Sequence, residues 1–72
     1  MHTRAMRNHP GQNIRALREA LQLRQHDVAA KSGVSVNLIS RYETRKGEPT
    51  LKTARKLAKA LRCSIVDILG DA

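Results

Sequence analysis

Aliphatic residues recur every three or four positions along most of this chain, which is the period of an α-helix. The pattern predicts helices over residues 12–21, 25–32, 36–44, 51–61 and 65–69. On the fourth of these, the residues expected to face inward are Leu51, Ala54, Leu57, Ala58 and Leu61. Pro10 and Gly11 mark a boundary, so residues 1–10 are interpreted as a flexible basic arm and residues 11–72 as the domain. The predicted fold class is all-α, a compact five-helix domain.

The central segment, residues 25–44, is predicted to hold two short helices joined by a tight turn. Gly33 lies at the reversal, where a positive φ favours glycine, and Ser35 is a good N-cap for the next helix. Leu38, Ile39 and Tyr42 recur at helical spacing and are expected to be buried together. The residues left on the opposite face are Val36, Asn37, Ser40 and Arg41. This layout is typical of a helix-turn-helix that reads DNA in the major groove.

These residues, in this order and spacing, resemble the phage repressor and Cro-like helix-turn-helix proteins, the XRE family. The matching positions are Gln25, Ala29, Gly33, Val34, Ser35, Ile39, the run ISRYE at 39–43 and EPTL at 48–51. The resemblance covers about residues 11–70 and implies a lambda-repressor-like fold that binds double-stranded DNA. Family members commonly place a Gly two residues after the position of Glu43, where this chain has Arg45. Either Arg45 adopts a left-handed conformation, or the helix ends differently.

Two sets of side chains are predicted to contact an operator. Arg41 can bond bidentately to guanine and Asn37 to adenine, although an Arg41 that stays solvated would touch only phosphate. Val36 would meet a thymine methyl or stay a partly exposed residue at the helix start, and Ser40 is assigned equally to base or phosphate. The predicted phosphate contacts, with Gln25 implied by the resemblance, are Arg24, Gln25, Ser35, Arg45 and Lys46.

Several further charged residues are given structural roles. Glu43 is expected to pair with an Arg of the first helix, because a carboxylate and a phosphate repel each other. The cations of the fourth helix are expected to form mainly a solvated face; they are Lys52, Arg55, Lys56, Lys59 and Arg62.

The formal charge of +8 and the pI near 10.9 favour a polyanionic partner. Tyr42 is the only aromatic residue, so a base-stacking RNA surface is not predicted. The apolar positions are needed for a core, and no segment is long enough to span a bilayer, so no membrane partner is predicted. Cys63 stands alone and is interpreted as a small buried hydrophobic residue.

No enzymatic activity and no cofactor are predicted. His2, His9 and His26 lack the spacing of metal ligands, and no nucleophile has both a base and an orienting partner. The length leaves no room for a separate effector-binding domain, so no small-molecule effector is predicted. The start of the chain lacks a signal peptide, which predicts a cytoplasmic protein. A bacterial, phage or mobile-element origin is implied by the resemblance alone.

The resemblance also implies a homodimer on a near-palindromic operator, with recognition helices about 34 Å apart. The fifth helix offers Ile65, Val66, Ile68 and Leu69, of which one or two are predicted to form the dimer contact. The alternative is that all four belong to the monomer core. Such a dimer would repress transcription by covering a promoter, while activation stays open. The sequence is also compatible with an antitoxin-type or controller protein whose main partner is a protein, and with a nonspecific nucleic-acid binder.

Overall fold

The computed structural model describes residues 9–70, and the chain forms five α-helices within that range. They are α1 (Pro10–Ala20), α2 (Gln25–Ser32), α3 (Val36–Glu43), α4 (Leu51–Ala60) and α5 (Ile65–Leu69). The all-α, five-helix prediction is confirmed, and the predicted bounds of α2 and α5 match those observed. Helices α1, α3 and α4 each end one residue before the predicted end. None of the helices in this range is long and apolar enough to cross a bilayer.

Helix α1 begins two residues before the predicted start and includes Pro10 and Gly11, which the sequence analysis interprets as a boundary. Pro10 occupies the first turn, where its missing N–H costs nothing and its fixed φ suits the helix. The Nδ1 atom of His9 accepts a hydrogen bond from the Gly11 N–H at 3.0 Å and so caps the helix. His9 and Pro10 therefore belong to the folded domain, and the rest of the predicted arm, residues 1–8, lies outside the described residues.

Each of the helices contributes a large, fully buried aliphatic side chain to a single core. These residues are Ile14, Val28, Ile39, Leu57 and Ile68, all at 0% exposure. Around them lie Ala54, which is also at 0% exposure, and the nearly buried Val34, Tyr42, Ala58 and Leu61. Helix α1 packs against α3 and α5, while α2 packs against α3 and α4. The short α5 is tied to α1 by a hydrogen bond of 2.9 Å from the Asn13 side-chain amide to the Ile68 carbonyl.

Two of the residues predicted to face inward are exposed. Leu38 is 41% exposed and Leu51 is 54% exposed, so both assignments were wrong. Leu38 lies on the flank of α3, because the buried arc of that short helix is centred on Ile39 and Tyr42. Leu51 is the first residue of α4, and a side chain at a helix end has fewer neighbours to cover it.

Helices α1 and α3 come into close contact at Gly11, which is buried. A Cβ atom placed on Gly11 would lie 1.7 Å from the Tyr42 carbonyl oxygen and 3.1 Å from the Glu43 Cα. No side chain larger than hydrogen fits there unless the two backbones separate. Gly11 is therefore a packing residue, which its position beside a proline did not indicate.

Three helices, α1, α3 and α4, are each followed, two positions after their last residue, by a non-glycine residue in the left-handed region. The residues concerned are Gln22, Arg45 and Arg62, with φ of 59°, 63° and 58°. At the end of α3, the Lys46 N–H donates to the Arg41 carbonyl at 2.8 Å and the Arg45 N–H to the Tyr42 carbonyl at 3.0 Å, which is a Schellman motif. Of the two conformations considered for Arg45, the structure shows the left-handed one, at a conformational cost of roughly 1–2 kcal/mol.

Candidate nucleic-acid interface

The exposed side of α3 is the centre of the candidate interface. Ser35 caps the helix, since its hydroxyl oxygen accepts a hydrogen bond from the Leu38 N–H at 3.1 Å. Ile39 and Tyr42 anchor the inner side in the core. The predicted base-contact residues fall on the remaining side, with Asn37 and Arg41 exposed and Val36 and Ser40 half-buried at its margin. At 3.6 residues per turn these four span an arc of about 140°, so they share one face.

Arg41 is held against the loop that follows its own helix. Its Nη2 donates to the Lys46 carbonyl at 2.9 Å, while the Lys46 N–H donates to the Arg41 carbonyl at 2.8 Å. The guanidinium carries five N–H donors in all, so most of them stay available. For a bidentate contact to a base, Arg41 would therefore use its remaining donors or break the hydrogen bond to the Lys46 carbonyl.

A buried ion pair connects α1 with α3, as expected for Glu43. Arg18 of α1 donates from Nε and Nη2 to the two carboxylate oxygens of Glu43, both at 2.9 Å. The side chains are only 13% and 5% exposed. The hydrogen bond to Glu43 raises the pKa of Arg18, and this outweighs the opposite effect of burial. The charged form of Arg18 is thus the one that the fold selects.

The same ion pair reaches the start of α2. The Gln25 side-chain amide donates to Glu43 Oε1 at 3.1 Å, and Arg18 Nη1 donates to the Leu23 carbonyl at 2.9 Å. We call Arg18, Glu43, Gln25 and the Leu23 carbonyl the Arg18–Glu43 network. It fixes the N-terminus of α2 relative to the C-terminus of α3. The sequence indicated the partner class of Glu43, but it did not indicate that Gln25 joins the same network.

The remaining predicted phosphate contacts lie on both sides of α3. Arg24 precedes α2 with an 86% exposed side chain, and its Nε lies 3.8 Å from an Asp27 carboxylate oxygen, which offsets part of its charge. Arg45 and Lys46 are exposed in the loop after α3. Cations at a helix C-terminus also interact favourably with the helix dipole. Ser35 uses its oxygen as a cap and keeps its hydroxyl proton for donation.

The predicted dimer residues of α5 do not share one environment. Ile68 is fully buried in the monomer core, so its assignment to an interface is corrected. Ile65 and Leu69 are half-buried and pack against the core. Val66 is 60% exposed and is the one predicted dimer residue that is open to a second copy.

Comparison with known proteins places this arrangement in a family. A model described as "Helix-turn-helix" matches residues 14–68. The HTH-type transcriptional repressor RghR of Bacillus subtilis (strain 168) is 45% identical over 53 residues, which is 72% of this chain and 39% of that protein. The chain therefore spans well under half the length of that curated relative.

Two solved structures share the fold over nearly their whole length. The P22 c2 repressor protein, solved in complex with a synthetic operator, has a TM-score of 0.79 and 37% identity, covering 86% of this chain and 94% of that one. The restriction-modification controller protein C.AhdI from Aeromonas hydrophila has a TM-score of 0.79 and 30% identity, covering 83% of this chain and 91% of that one. Both likenesses extend well beyond the two central helices.

Proposed function

Because the chain belongs to the XRE-type helix-turn-helix family, we propose that it is a sequence-specific regulator that binds double-stranded DNA. In this proposal it represses transcription by covering a promoter. The observation that carries the proposal is the likeness to the P22 c2 repressor, a protein solved on operator DNA, together with a polar arc on α3.

In the proposed complex α3 lies in the major groove. Asn37 and Arg41 face the base edges, where an amide can pair with adenine and a guanidinium with guanine. Val36 and Ser40 form the half-buried side of the arc, where they would meet a thymine methyl or a phosphate. The support for these roles is that the four residues share one face of a helix whose other side is anchored in the core, with Asn37 and Arg41 exposed on that face.

Phosphate contacts would come from the elements that flank α3. The N-terminus of α2 presents Gln25 and Arg24, and free backbone N–H groups there favour an anion. The loop after α3 presents Arg45 and Lys46, and Ser35 can donate from its hydroxyl. A formal charge of +8 supports such contacts, and it implies affinity that falls steeply with salt.

A single reading helix contacts few base pairs, so the proposal includes a weak homodimer on a near-palindromic operator. Val66 is exposed at 60% and would supply the centre of the contact. Ile65 and Leu69 would flank it. Two recognition helices would then lie about 34 Å apart, in successive major grooves of one duplex face.

A controller protein of a restriction-modification system is the second candidate. The observation in its favour is the TM-score of 0.79 with C.AhdI, which this chain matches over 91% of that protein's length. Both candidates read DNA through α3, and they differ in the genes that they regulate.

The test is selection of bound duplexes from a random library at near-physiological salt. A two-fold symmetric motif would support a dimeric reader, and its half-site spacing would give the dimer geometry. A motif without symmetry would contradict the homodimer. Failure to enrich any motif would contradict sequence-specific reading, and the nonspecific binder would replace it.

Arg41→Ala then tests the main base contact on the selected duplex. We expect a loss of about 1–3 kcal/mol in specific affinity and a relaxed preference at one base pair. Arg15→Ala is the matched control, because Arg15 is an exposed arginine of α1 outside the proposed interface. An equal loss on all duplexes would make Arg41 a phosphate contact instead.

A further inference from the structure

A groove with a cationic rim lies between the C-terminal ends of α2 and α4. It encloses about 460 Å³ and is lined by Lys31, Ser32, Lys56, Lys59, Ala60 and Arg62. A second cavity of about 200 Å³ shares Lys31, Ala60 and Arg62 with it and adds Leu21 and Leu23. The two cavities thus form one surface, which we call the α2–α4 groove.

The rim of the α2–α4 groove carries positive charge that nothing else in the described chain neutralises. Its cations are Lys31, Lys56, Lys59 and Arg62, and none of them forms an ion pair within residues 9–70. The acidic side chains of that range are held elsewhere. Glu43 pairs with Arg18, and Glu19 pairs with Arg15 at 3.1 Å. Asp27 and Asp67 cap helices, and a Glu48 carboxylate oxygen lies 3.8 Å from His9 Nε2. Within the described residues, the four cations of the groove therefore have no carboxylate partner.

The apolar part of the α2–α4 groove is the floor of the second cavity. Leu21 is 42% exposed and Leu23 is half-buried, and Ala60 joins them from α4. Phosphates of a duplex would meet the cations and leave this floor without a partner. A peptide with acidic and aliphatic side chains would satisfy both parts at once.

The groove is also separate from the proposed DNA interface. No predicted base-contact, phosphate-contact or dimer residue lines either cavity. Lys31 lies near the C-terminus of α2, roughly 10 Å along the helix from the start that carries Gln25. The net charge used to support DNA binding therefore includes a cluster that α3 does not use.

We propose that the α2–α4 groove binds an acidic amphipathic segment of a partner protein. Carboxylates of the segment pair with Lys56 and Lys59 on one side and with Lys31 and Arg62 on the other. A leucine-like side chain between them enters the pocket beside Leu21. Because this site is distinct from α3, binding does not depend on the proposed reading of DNA.

The test is fluorescence anisotropy of the full chain with the labelled peptide DELLEDLLED at near-physiological salt. The comparison peptide is DEGSEDGSED, which has the same charge and no aliphatic side chains. We expect the first peptide to bind at least about tenfold more tightly, since only it fills the apolar floor. Equal affinities would overturn the proposal and leave a nonspecific attraction for acids.

Paired variants of α4 separate the groove from general charge. Lys56→Glu with Lys59→Glu is expected to weaken the leucine peptide at least about tenfold. The matched control is Lys52→Glu with Arg55→Glu, which makes the same charge change on the same helix outside the groove and should weaken it no more than about twofold. Equal weakening by the two pairs would contradict a defined site.

A third variant and a competitor complete the test. Leu21→Ser should reduce the preference for the leucine peptide without unfolding the domain, because Leu21 lies outside the core. Unchanged preference would contradict the apolar pocket. A random-sequence duplex that displaces the peptide, and whose own affinity falls in the groove variant and not in the control pair, would assign the groove to nucleic acid instead.

Discussion

Replacement of Gly11 by alanine tests the close contact between α1 and α3. The added Cβ would lie 1.7 Å from the Tyr42 carbonyl oxygen, whereas ordinary contact begins at 3.4 Å. The backbones of α1 and α3 would therefore have to separate by about 1.7 Å, the difference between these two distances. Neighbouring backbone cannot rotate away as a flexible side chain can. The strain must spread through the α1–α3 interface.

The expected cost follows from three terms. Overpacking costs typically about 1–3 kcal/mol and sometimes more. Alanine in a helix returns about 1 kcal/mol relative to glycine. The same separation stretches the largely buried Arg18–Glu43 pair; complete loss of one partner of a buried pair would cost about 3–5 kcal/mol, and stretching adds part of that. We expect a net loss of about 3 kcal/mol or more in the free energy of unfolding.

Two other glycines supply internal controls. Gly33 has φ +78° and nothing within 4 Å of an added Cβ, so Gly33→Ala meets conformational strain alone. Its cost should be about 1 kcal/mol, the left-handed penalty less the gain from a stiffer unfolded chain. Gly47 has the same open space without a positive φ, so Gly47→Ala should stay within about 0.5 kcal/mol of the parent.

The assay is urea unfolding followed by far-ultraviolet circular dichroism, with the slopes compared among the three variants. In a thermal scan, Gly11→Ala should lower Tm by roughly 12 °C or more, at about 4–8 °C per kcal/mol for a domain of this size. A Gly11 variant with the urea midpoint of Gly47→Ala would refute the close packing of α1 on the Tyr42 carbonyl.

Three further predictions follow from helix ends and buried groups. Glu43→Gln should cost about 3 kcal/mol by leaving a buried guanidinium unpaired, whereas Glu19→Gln in an exposed pair should cost under about 0.5 kcal/mol, and equal urea midpoints would refute this. Arg45→Gly should raise stability by about 0.5–1 kcal/mol and weaken operator binding, while Arg62→Gly should raise stability without changing operator affinity. Unchanged operator affinity in Arg45→Gly would contradict a phosphate contact by Arg45. Burial, with a smaller contribution from the Asp67 carboxylate, raises the pKa of the Cys63 thiol, so iodoacetamide should alkylate it more slowly in the folded chain than in urea at mildly alkaline pH. Equal alkylation rates in the folded and unfolded chain would contradict the raised pKa. Because the pKa of Cys63 is higher in the folded state, its contribution to the free energy of unfolding is complete below the unfolded pKa and is lost as pH rises through the folded pKa.

The two helices whose bounds the sequence predicted correctly, α2 and α5, are both followed by a glycine. Gly33 ends α2 in a left-handed conformation, and Ser64 caps α5 while Gly70 follows it. The start of α1 was missed, because Pro10 and Gly11 together favour a turn by local rules. The structure starts the helix there with Pro10 in the first turn and a cap from His9, and the contact of Gly11 with the backbone of α3 joins distant parts of the chain.

The candidate site was predicted in outline and not in its internal bonds. Periodicity alone separates Ile39 and Tyr42 from the exposed Asn37 and Arg41. It cannot show that Arg41 turns back to the Lys46 carbonyl, because that bond depends on the path of the loop. The α2–α4 groove was hidden for a related reason. The sequence assigns the cations of α4 to solvent, and only packing brings the end of α2 beside them.

The Arg18–Glu43 network determines how rigidly α3 is oriented toward a ligand. Glu43 holds Gln25 at 3.1 Å and Arg18 at 2.9 Å, so α2 and α3 meet any ligand as one preorganised body. The orientational entropy of the two helices is lost during folding and not during association. Loosening this network would leave every proposed base contact chemically intact. It would let α3 shift relative to a bound phosphate, so the base contacts would no longer be held at fixed positions. Selectivity between related DNA sites would then decline before the overall affinity did.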